Sequence, residues 1–419
     1  TTENNQTALH LACERSVTSA ISLLVNHPKS VLNIPVNRTN LLPLHICCKR
    51  GNHEAVLLIL NSKKDYGDIN SLSDGQLAPL HLAAIKGSGQ IVSALSQVPG
   101  IDLNLVDAEN HTPLHLACIN NRHECLKVLV EQKGIDVNAK CNFTFEQDNP
   151  SLVGPPSSRS SSQSDSGQEI TQVKSRNGRY SFSCLKSIQP KKDDENEPIT
   201  LNPLAETEVP LSPIGPVPSD NNLNLSEQTS SELIISTPKT TLPGFNYDEK
   251  INCLFYSALT RNLKLFQPLV QHPEMDINLP NENGMTVLHI CCYLGLVDFV
   301  RLLLFRENLE KNPVNKDGMT PLHLAASEGH ADVVKALTTT FGVDLNPKAN
   351  RDQMTPLHFA CEKGRTNVVA ILCEAKGVNM QEKTQSGKTP IQIACANGFS
   401  DIFAILSQNN DMSSFRRLS

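Results

Sequence analysis

The stretch Asp317–Leu337, DGMTPLHLAASEGHADVVKAL, contains the pattern that decides the fold. Its tetrapeptide Thr320–His323 begins a helix, because proline is well tolerated at the first helical position, where its missing N–H leaves no bond unmade. Gly329 then ends that helix, since glycine readily takes the positive φ of a tight turn, and a second helix starts near Asp332. Two short amphipathic helices cannot bury their apolar faces alone. The stretch therefore predicts neighbours of the same design on both sides.

The tetrapeptide recurs in one phase along the chain, mostly 34–36 residues apart. The copies are Thr7–His10, Leu42–His45, Ala78–His81, Thr112–His115, Thr286–His289, Thr320–His323, Thr355–His358 and Thr389–Gln392. A degenerate copy in Cys253–Val270 has Phe255 at the histidine position, 34 residues before His289. A period near 33 with T-P-L-H-x-A is typical of ankyrin repeats, and the chain resembles that family. The resemblance implies an all-α solenoid of helix-turn-helix repeats with β-hairpin or loop tips, nine of them here.

The repeat pattern is interrupted once, by one long segment of different composition. Residues 144–244 contain 18 serines and 12 prolines and show no helical periodicity. Such a segment cannot bury enough apolar surface to offset its ordering entropy. We therefore predict repeats one to four in 1–142, a disordered, acidic, Ser/Pro-rich insertion in 143–247, repeats five to nine in 248–408, and a tail in 409–419.

The composition of the degenerate repeat favours a single solenoid over two separate arrays. A free-standing array normally begins with a repeat whose outer face is polar, whereas this repeat carries Phe255, Tyr256 and Phe266. The insertion also falls where a hairpin tip belongs, and a long insertion in a loop costs little because closure entropy grows only logarithmically with length. We expect one continuous solenoid, with two tethered arrays as the alternative.

Catalytic and cofactor motifs are missing from the sequence. It has no GxxxxGK[ST], GxSxG or HExxH motif and no kinase signature set. Seven of the 13 histidines occupy one repeat position, and no cluster of cysteines or carboxylates accompanies them at the spacing of metal ligands. In the family that the chain resembles, this histidine is structural. We therefore expect no enzymatic activity, no cofactor and no metal.

Cysteine usage and charge suggest a compartment and narrow the class of partner. Six cysteines share the small-residue position that Ala326 holds: Cys13, Cys48, Cys118, Cys292, Cys361 and Cys395. Free cysteine acts there as a small buried hydrophobe, and many free thiols indicate a reducing, intracellular compartment. We expect the cytoplasm, with the nucleus as the alternative, and no membrane-spanning segment. The net charge is −6, of which −5 falls in 144–244, so we expect no direct nucleic-acid binding by charge.

Binding to other proteins is the function that these observations favour. The residue before each tetrapeptide is often apolar, and we predict that this tip column forms an exposed strip for a partner's helix or extended peptide. Its apolar candidates are Leu41, Leu77, Met285, Met319 and Met354. Concave positions nearby are expected to supply a rim: Tyr293, Ser327, Glu328, Glu362 and Lys363. The alternative is that the column packs on the adjacent hairpin.

Short motifs outside the repeats suggest regulation by phosphorylation. Ser212 and Thr237 each precede a proline, and Ser181 and Ser419 follow arginines, which resembles kinase sites. The sequence thus predicts an intracellular scaffold or adaptor with a phosphorylated loop. The alternative is a regulatory cytoplasmic array of a larger channel, kinase or other effector, of which this chain is a fragment.

Overall fold

The computed structural model describes residues 5–143 and 250–416, which form nine pairs of helices and one pair of short strands. The first helix of each pair is α1 (Ala8–Glu14), α3 (Pro43–Arg50), α5 (Pro79–Lys86), α7 (Pro113–Ile119), α9 (Cys253–Leu259), α11 (Val287–Tyr293), α13 (Pro321–Glu328), α15 (Pro356–Glu362) or α17 (Pro390–Ala396). The second is α2 (Thr18–Asn26), α4 (His53–Leu60), α6 (Gly89–Ser96), α8 (His123–Val130), α10 (Leu263–Gln271), α12 (Val297–Leu304), α14 (Ala331–Thr338), α16 (Thr366–Glu374) or α18 (Ser400–Arg416). The strands are β1 (Lys140–Cys141) and β2 (Ile251–Asn252).

The tetrapeptide begins the first helices as the sequence predicts. In α7, Thr112 is the extended residue before the helix, and its hydroxyl oxygen accepts from the His115 backbone N–H. Pro113 occupies the first helical turn, where no backbone N–H is needed. At the other end of α3 and α5, Gly51 and Gly87 take left-handed conformations with φ of 78° and 90°, which turns the chain into the next helix.

The helices stack in two layers. Each first helix packs on the first helices before and after it, and the second helices do the same. Small side chains line the contact between first helices: Ala83, Ala84, Ala325 and Ala326 are fully buried. Leucine, isoleucine and valine of the second helices cover this layer from the other side, so one core runs along the repeats. The predicted α-helical repeat solenoid is confirmed.

The cysteine positions follow the same packing, with one exception. Five of the six cysteines predicted in the small-residue position are buried: Cys13, Cys48, Cys118, Cys292 and Cys361. Cys395 is exposed, so the prediction is wrong there. The reason is its place in α17, the last first helix, since no further described first helix covers that side.

Repeats four and five pack directly on one another across the insertion. α7 contacts α9, and α8 contacts α10. Strands β1 and β2 pair antiparallel, with Lys140 opposite Asn252 and Cys141 opposite Ile251. The Asn138 amide joins the two sides, since its Nδ2 donates to the Glu274 carbonyl oxygen (2.8 Å) and its Oδ1 accepts from the Asp276 backbone N–H (2.9 Å). These contacts are those of one continuous stack.

Two sequence-based expectations concern the insertion and membrane-spanning segments. The predicted disordered insertion in 143–247 lies almost entirely outside them, and the domain boundaries drawn around it stay a prediction. Among the helices in 5–143 and 250–416, none is both long and apolar enough to cross a bilayer.

Candidate protein-binding surface

The seven repeated histidines form a ladder that ties each repeat to the next. Their Nδ1 atoms accept from the backbone N–H three residues earlier, as His323 does from Thr320 (3.0 Å). Because that N–H can only donate, Nδ1 is unprotonated and the proton resides on Nε2. His323 Nε2 therefore donates to the Met354 carbonyl oxygen of the following repeat (3.1 Å), and His289 Nε2 donates likewise to Met319 (3.0 Å).

Burial keeps the ladder neutral. It lowers the pKa of four of these histidines to about 4: His45, His115, His289 and His323. It also lowers the pKa of His10, His81 and His358. Both ring nitrogens are already hydrogen-bonded, so neither has a lone pair free for a ligand. Among the described residues, no three His, Cys, Asp or Glu side chains are grouped to hold a metal ion.

The tip column does not form the exposed strip that the sequence analysis predicted. Met285 and Met354 are buried, with 1% and 4% of their surfaces exposed, and belong to the core. Leu41, Leu77 and Met319 are half-buried and pack against that core. The alternative that the column packs on neighbouring structure is therefore correct for the buried methionines.

Backbone hydrogen bonds hold the tips that carry this column. The Met319 and Met354 carbonyl oxygens accept from the ladder histidines of the preceding repeats. The Met285 and Met319 backbone N–H groups donate to asparagine side chains of their own tips, Asn281 Oδ1 (2.8 Å) and Asn315 Oδ1 (2.9 Å). The Met319 and Met354 carbonyl oxygens thus link neighbouring repeats, whereas the Met285 carbonyl oxygen accepts from the Asn281 backbone N–H of its own tip.

The other predicted binding residues lie at the C-terminal ends of neighbouring first helices, a strip that we call the first-helix edge. Tyr293 ends α11, Ser327 and Glu328 end α13, and Glu362 ends α15, with Lys363 immediately after it. Since α11, α13 and α15 pack side by side, the structure brings these five residues into one row.

Exposure along this row is uneven. Lys363 is exposed, Tyr293, Glu328 and Glu362 are half-buried, and Ser327 is buried. The Ser327 carbonyl oxygen accepts from Arg365 Nε (2.8 Å). Glu362 forms a two-bond ion pair with Arg351, at 2.8 and 3.3 Å. The edge therefore presents an aromatic ring among charges of both signs.

Comparison with protein-family models gives one family on both sides of the insertion. The model described as "Ankyrin repeats (3 copies)" matches residues 1–71, 67–141, 254–349 and 341–415, well over half of the chain. The chain belongs to the ankyrin-repeat family. A search of curated protein sequences finds no match to this chain. Ankyrin repeats mediate protein–protein interaction, which agrees with the binding function that the sequence favours.

The ankyrin array also carries a charged feature that the sequence analysis missed. On repeats two to four, the first-helix edge and the adjoining turn carry Lys49, Arg50, Lys86 and Arg122, all exposed; we call these four residues the basic ribbon. The net charge of the repeats did not indicate the basic ribbon, because acidic residues elsewhere in the repeats cancel its positive charge. The signal was positional: Arg50 and Lys86 each follow a ladder histidine by five residues.

A second exposed feature lies beside the second helices of repeats six and seven. Phe305 is 85% exposed where α12 ends, and Phe341 is 95% exposed after α14. A groove of about 570 Å³ runs between these helices, lined by Phe305, Leu304, Arg301, Asp332 and Lys335 among others. The side chains that line this groove carry charges of both signs, whereas all four residues of the basic ribbon are positively charged.

The predicted phosphorylation sites cannot be compared with this geometry. Ser181, Ser212 and Thr237 lie in the insertion and Ser419 at the end of the chain, all outside the described residues. They stay predictions from the sequence.

Proposed function

We propose that this ankyrin-repeat protein is a non-enzymatic scaffold or adaptor that binds a helix or extended peptide of a partner along its first-helix edge. The row formed by Tyr293, Glu328, Glu362 and Lys363 on adjacent helices carries the proposal. An aromatic side chain surrounded by a polar rim is a common composition for a protein interface.

Ion pairing along this row supports a role in specificity. The Glu362 carboxylate is fixed by Arg351 through two hydrogen bonds, so its position is set before a partner arrives. Preorganised polar groups bind with a smaller loss of side-chain entropy. Lys363 beside it is exposed, and its ammonium group belongs to no ion pair among the described residues.

Site-specific photo-crosslinking in cells tests this function. Lys363→benzoylphenylalanine in the full chain should yield discrete adducts on irradiation. The matched control is Phe341→benzoylphenylalanine, which is exposed but away from the row. Adducts at position 363 that do not form at 341 are the expected result. Equal adduct patterns at both positions, or none at 363, would refute binding along this edge.

Regulation belongs to the same proposal. We infer that Ser212 and Thr237 are phosphorylated by proline-directed kinases, with Ser181 and Ser419 modified by kinases that prefer basic residues. Phosphopeptide mapping of the protein isolated from cells checks each site, and unmodified peptides covering all four would refute this part. The proposed location is the cytoplasm.

A further inference from the structure

Four cations follow one another along repeats two to four of the ankyrin array. Lys49 and Arg50 lie in the last turn of α3, Lys86 ends α5, and Arg122 directly precedes α8. Lys86 Cε lies 3.1 Å from where a Cβ on Gly51 would be, so its stem crosses the turn that follows Arg50.

The same arrangement continues in the next repeat. Arg122 Cδ lies 2.7 Å from where a Cβ on Gly87 would be, so Arg122 crosses the turn that follows Lys86. Each cation is thus held beside the one before it. The glycines permit this close approach, and the basic ribbon is continuous rather than scattered.

Within the described residues, these charges are largely uncompensated. Lys49, Arg50 and Lys86 belong to none of the ion pairs there. Arg122 donates its Nε to the Ile85 carbonyl oxygen (3.0 Å) but pairs with no carboxylate. The acidic residues that begin the adjoining second helices are Glu54 and Glu124, and Glu124 lies 3.7 Å from His123. The four cations therefore outnumber the two carboxylates that begin the adjoining second helices.

The helix dipole alone does not account for the ribbon. A cation in the last turn of a helix is favoured by about 0.3–1 kcal/mol, which stabilises Lys49, Arg50 and Lys86 individually. Yet the positions equivalent to Arg50 and Lys49 hold Glu328 in α13 and Glu362 in α15, where the dipole disfavours an anion. The helix end does not dictate the residue, so the choice of cations on successive repeats needs another cause.

We propose that the basic ribbon binds an extended, acidic segment of a partner protein, a carboxylate-rich peptide with an acidic residue at about every third position. Packed helices lie about 8–10 Å apart, and three residues of an extended polyproline II segment span about 9 Å and bring the side chain back to the same face. Carboxylates at that interval meet one cation per repeat. This inference rests on the proposed function and names the class of partner for repeats two to four.

Fluorescence anisotropy on the full chain tests the ribbon. The probe is a fluorescein-labelled peptide of four Glu-Ser-Gly triplets, with a Gln-Ser-Gly peptide as the neutral reference. The wild-type chain should bind the Glu peptide, less tightly at higher ionic strength, and should not bind the Gln peptide. The triple variant Lys49→Gln, Arg50→Gln, Lys86→Gln should bind at least about tenfold more weakly, since it removes three of the four ribbon charges.

A second triple variant controls for net charge. Lys29→Gln, Lys63→Gln, Lys133→Gln removes three exposed lysines outside the ribbon and should change the affinity by less than about twofold. Equal weakening by both triple variants, or failure of the wild-type chain to bind the Glu peptide, would overturn the proposal. Tighter binding of a single-stranded oligonucleotide of the same length, with the same sensitivity to the ribbon variant, would also overturn it. Crosslinking from position 363 is read independently, so the proposed function is judged separately.

Discussion

Acidification should weaken this ankyrin array through its histidine ladder. Burial lowers the pKa of His45, His115, His289 and His323 to about 4, against 6.5 for an unperturbed histidine. As the pH falls below 6.5, these histidines become protonated in the unfolded chain but stay neutral in the folded chain. Stability from these groups is therefore fully present above pH 6.5 and is lost as the pH falls towards 4.

The size of the loss follows from the two pKa values. At pH 5, a pKa of about 4 against 6.5 lowers the free energy of unfolding by about 2 kcal/mol per histidine, or about 8 kcal/mol for the four. The structure supplies the reason: protonating Nδ1 would direct its hydrogen at the backbone N–H that now donates to it, as between His323 and Thr320. His111 acts in the opposite sense, because its contact with Asp107 raises its pKa against the effect of burial and favours folding in acid. One such group does not offset four.

Repeat nine offers a residue that replaces histidine without titrating. Gln392 stands at the ladder position, and its Oε1 accepts from the Thr389 backbone N–H (2.9 Å), as a histidine Nδ1 does elsewhere. Changing all four histidines to glutamine should therefore keep the helix starts and remove most of the acid sensitivity. Urea unfolding at pH 7.5, 6.5, 5.5 and 5.0, followed by circular dichroism, measures this. His27→Gln with His123→Gln, both exposed, is the matched control. An identical loss of stability in wild type and the quadruple variant would refute the explanation.

Three further changes test the packing. Met285→Ala should lower the free energy of unfolding, measured by urea denaturation, by about 2–5 kcal/mol, because it opens a cavity at a buried position. A change near zero would contradict the burial of Met285. Gly318→Ala should lower the free energy of unfolding more than Gly387→Ala in the same assay. Both glycines have positive φ (70° and 79°), but an added Cβ would meet a neighbouring atom, Asn350 Oδ1 at 2.5 Å, only at Gly318. Equal effects of the two substitutions would contradict this explanation. After proteolysis within 144–249, the two halves should co-elute on a sizing column, and Asn138→Ala should speed their separation by removing two bonds of about 0.5–1.5 kcal/mol each. Immediate separation of the wild-type halves would contradict the continuous stack.

Much of the fold could be predicted from local sequence because each repeat contains its own start and stop signals. Threonine and proline begin the first helix, and glycine or asparagine turns the chain after it. Even the degenerate fifth repeat could be recognised, since Leu265, Phe266 and Leu269 occupy the inward positions and are buried. These signals act within one repeat, so a single sequence suffices to read them.

The binding surface could not be read in the same way, because burial depends on the neighbouring repeat. A column of apolar residues at a period of about 34 looks the same whether it faces solvent or the next hairpin. Met285 and Met354 are buried in the stacked repeats, and the Met354 carbonyl oxygen accepts from His323, 31 residues earlier in the chain. The basic ribbon was missed for a different reason. The net charge of the repeats adds Lys86 and Arg50 to carboxylates that lie elsewhere on the surface, so it does not show where the positive charges are grouped.

The junction between repeats four and five shows how a long insertion can leave such a surface intact. The chain departs after β1 and returns at β2, and the two strands pair, so the ends of the insertion are held together like those of an ordinary hairpin. Phe143 stacks on Tyr256 with ring centres 4.3 Å apart, and the Asn138 amide bridges to the next repeat as Asn104 and Asn278 do in theirs. Because the repeats on both sides keep their normal contacts, the insertion interrupts the sequence of the stack without interrupting its core. The basic ribbon and the row around Tyr293 therefore lie on one edge, so a partner that bound both proposed sites would need an acidic segment and a separate segment for the mixed-charge row.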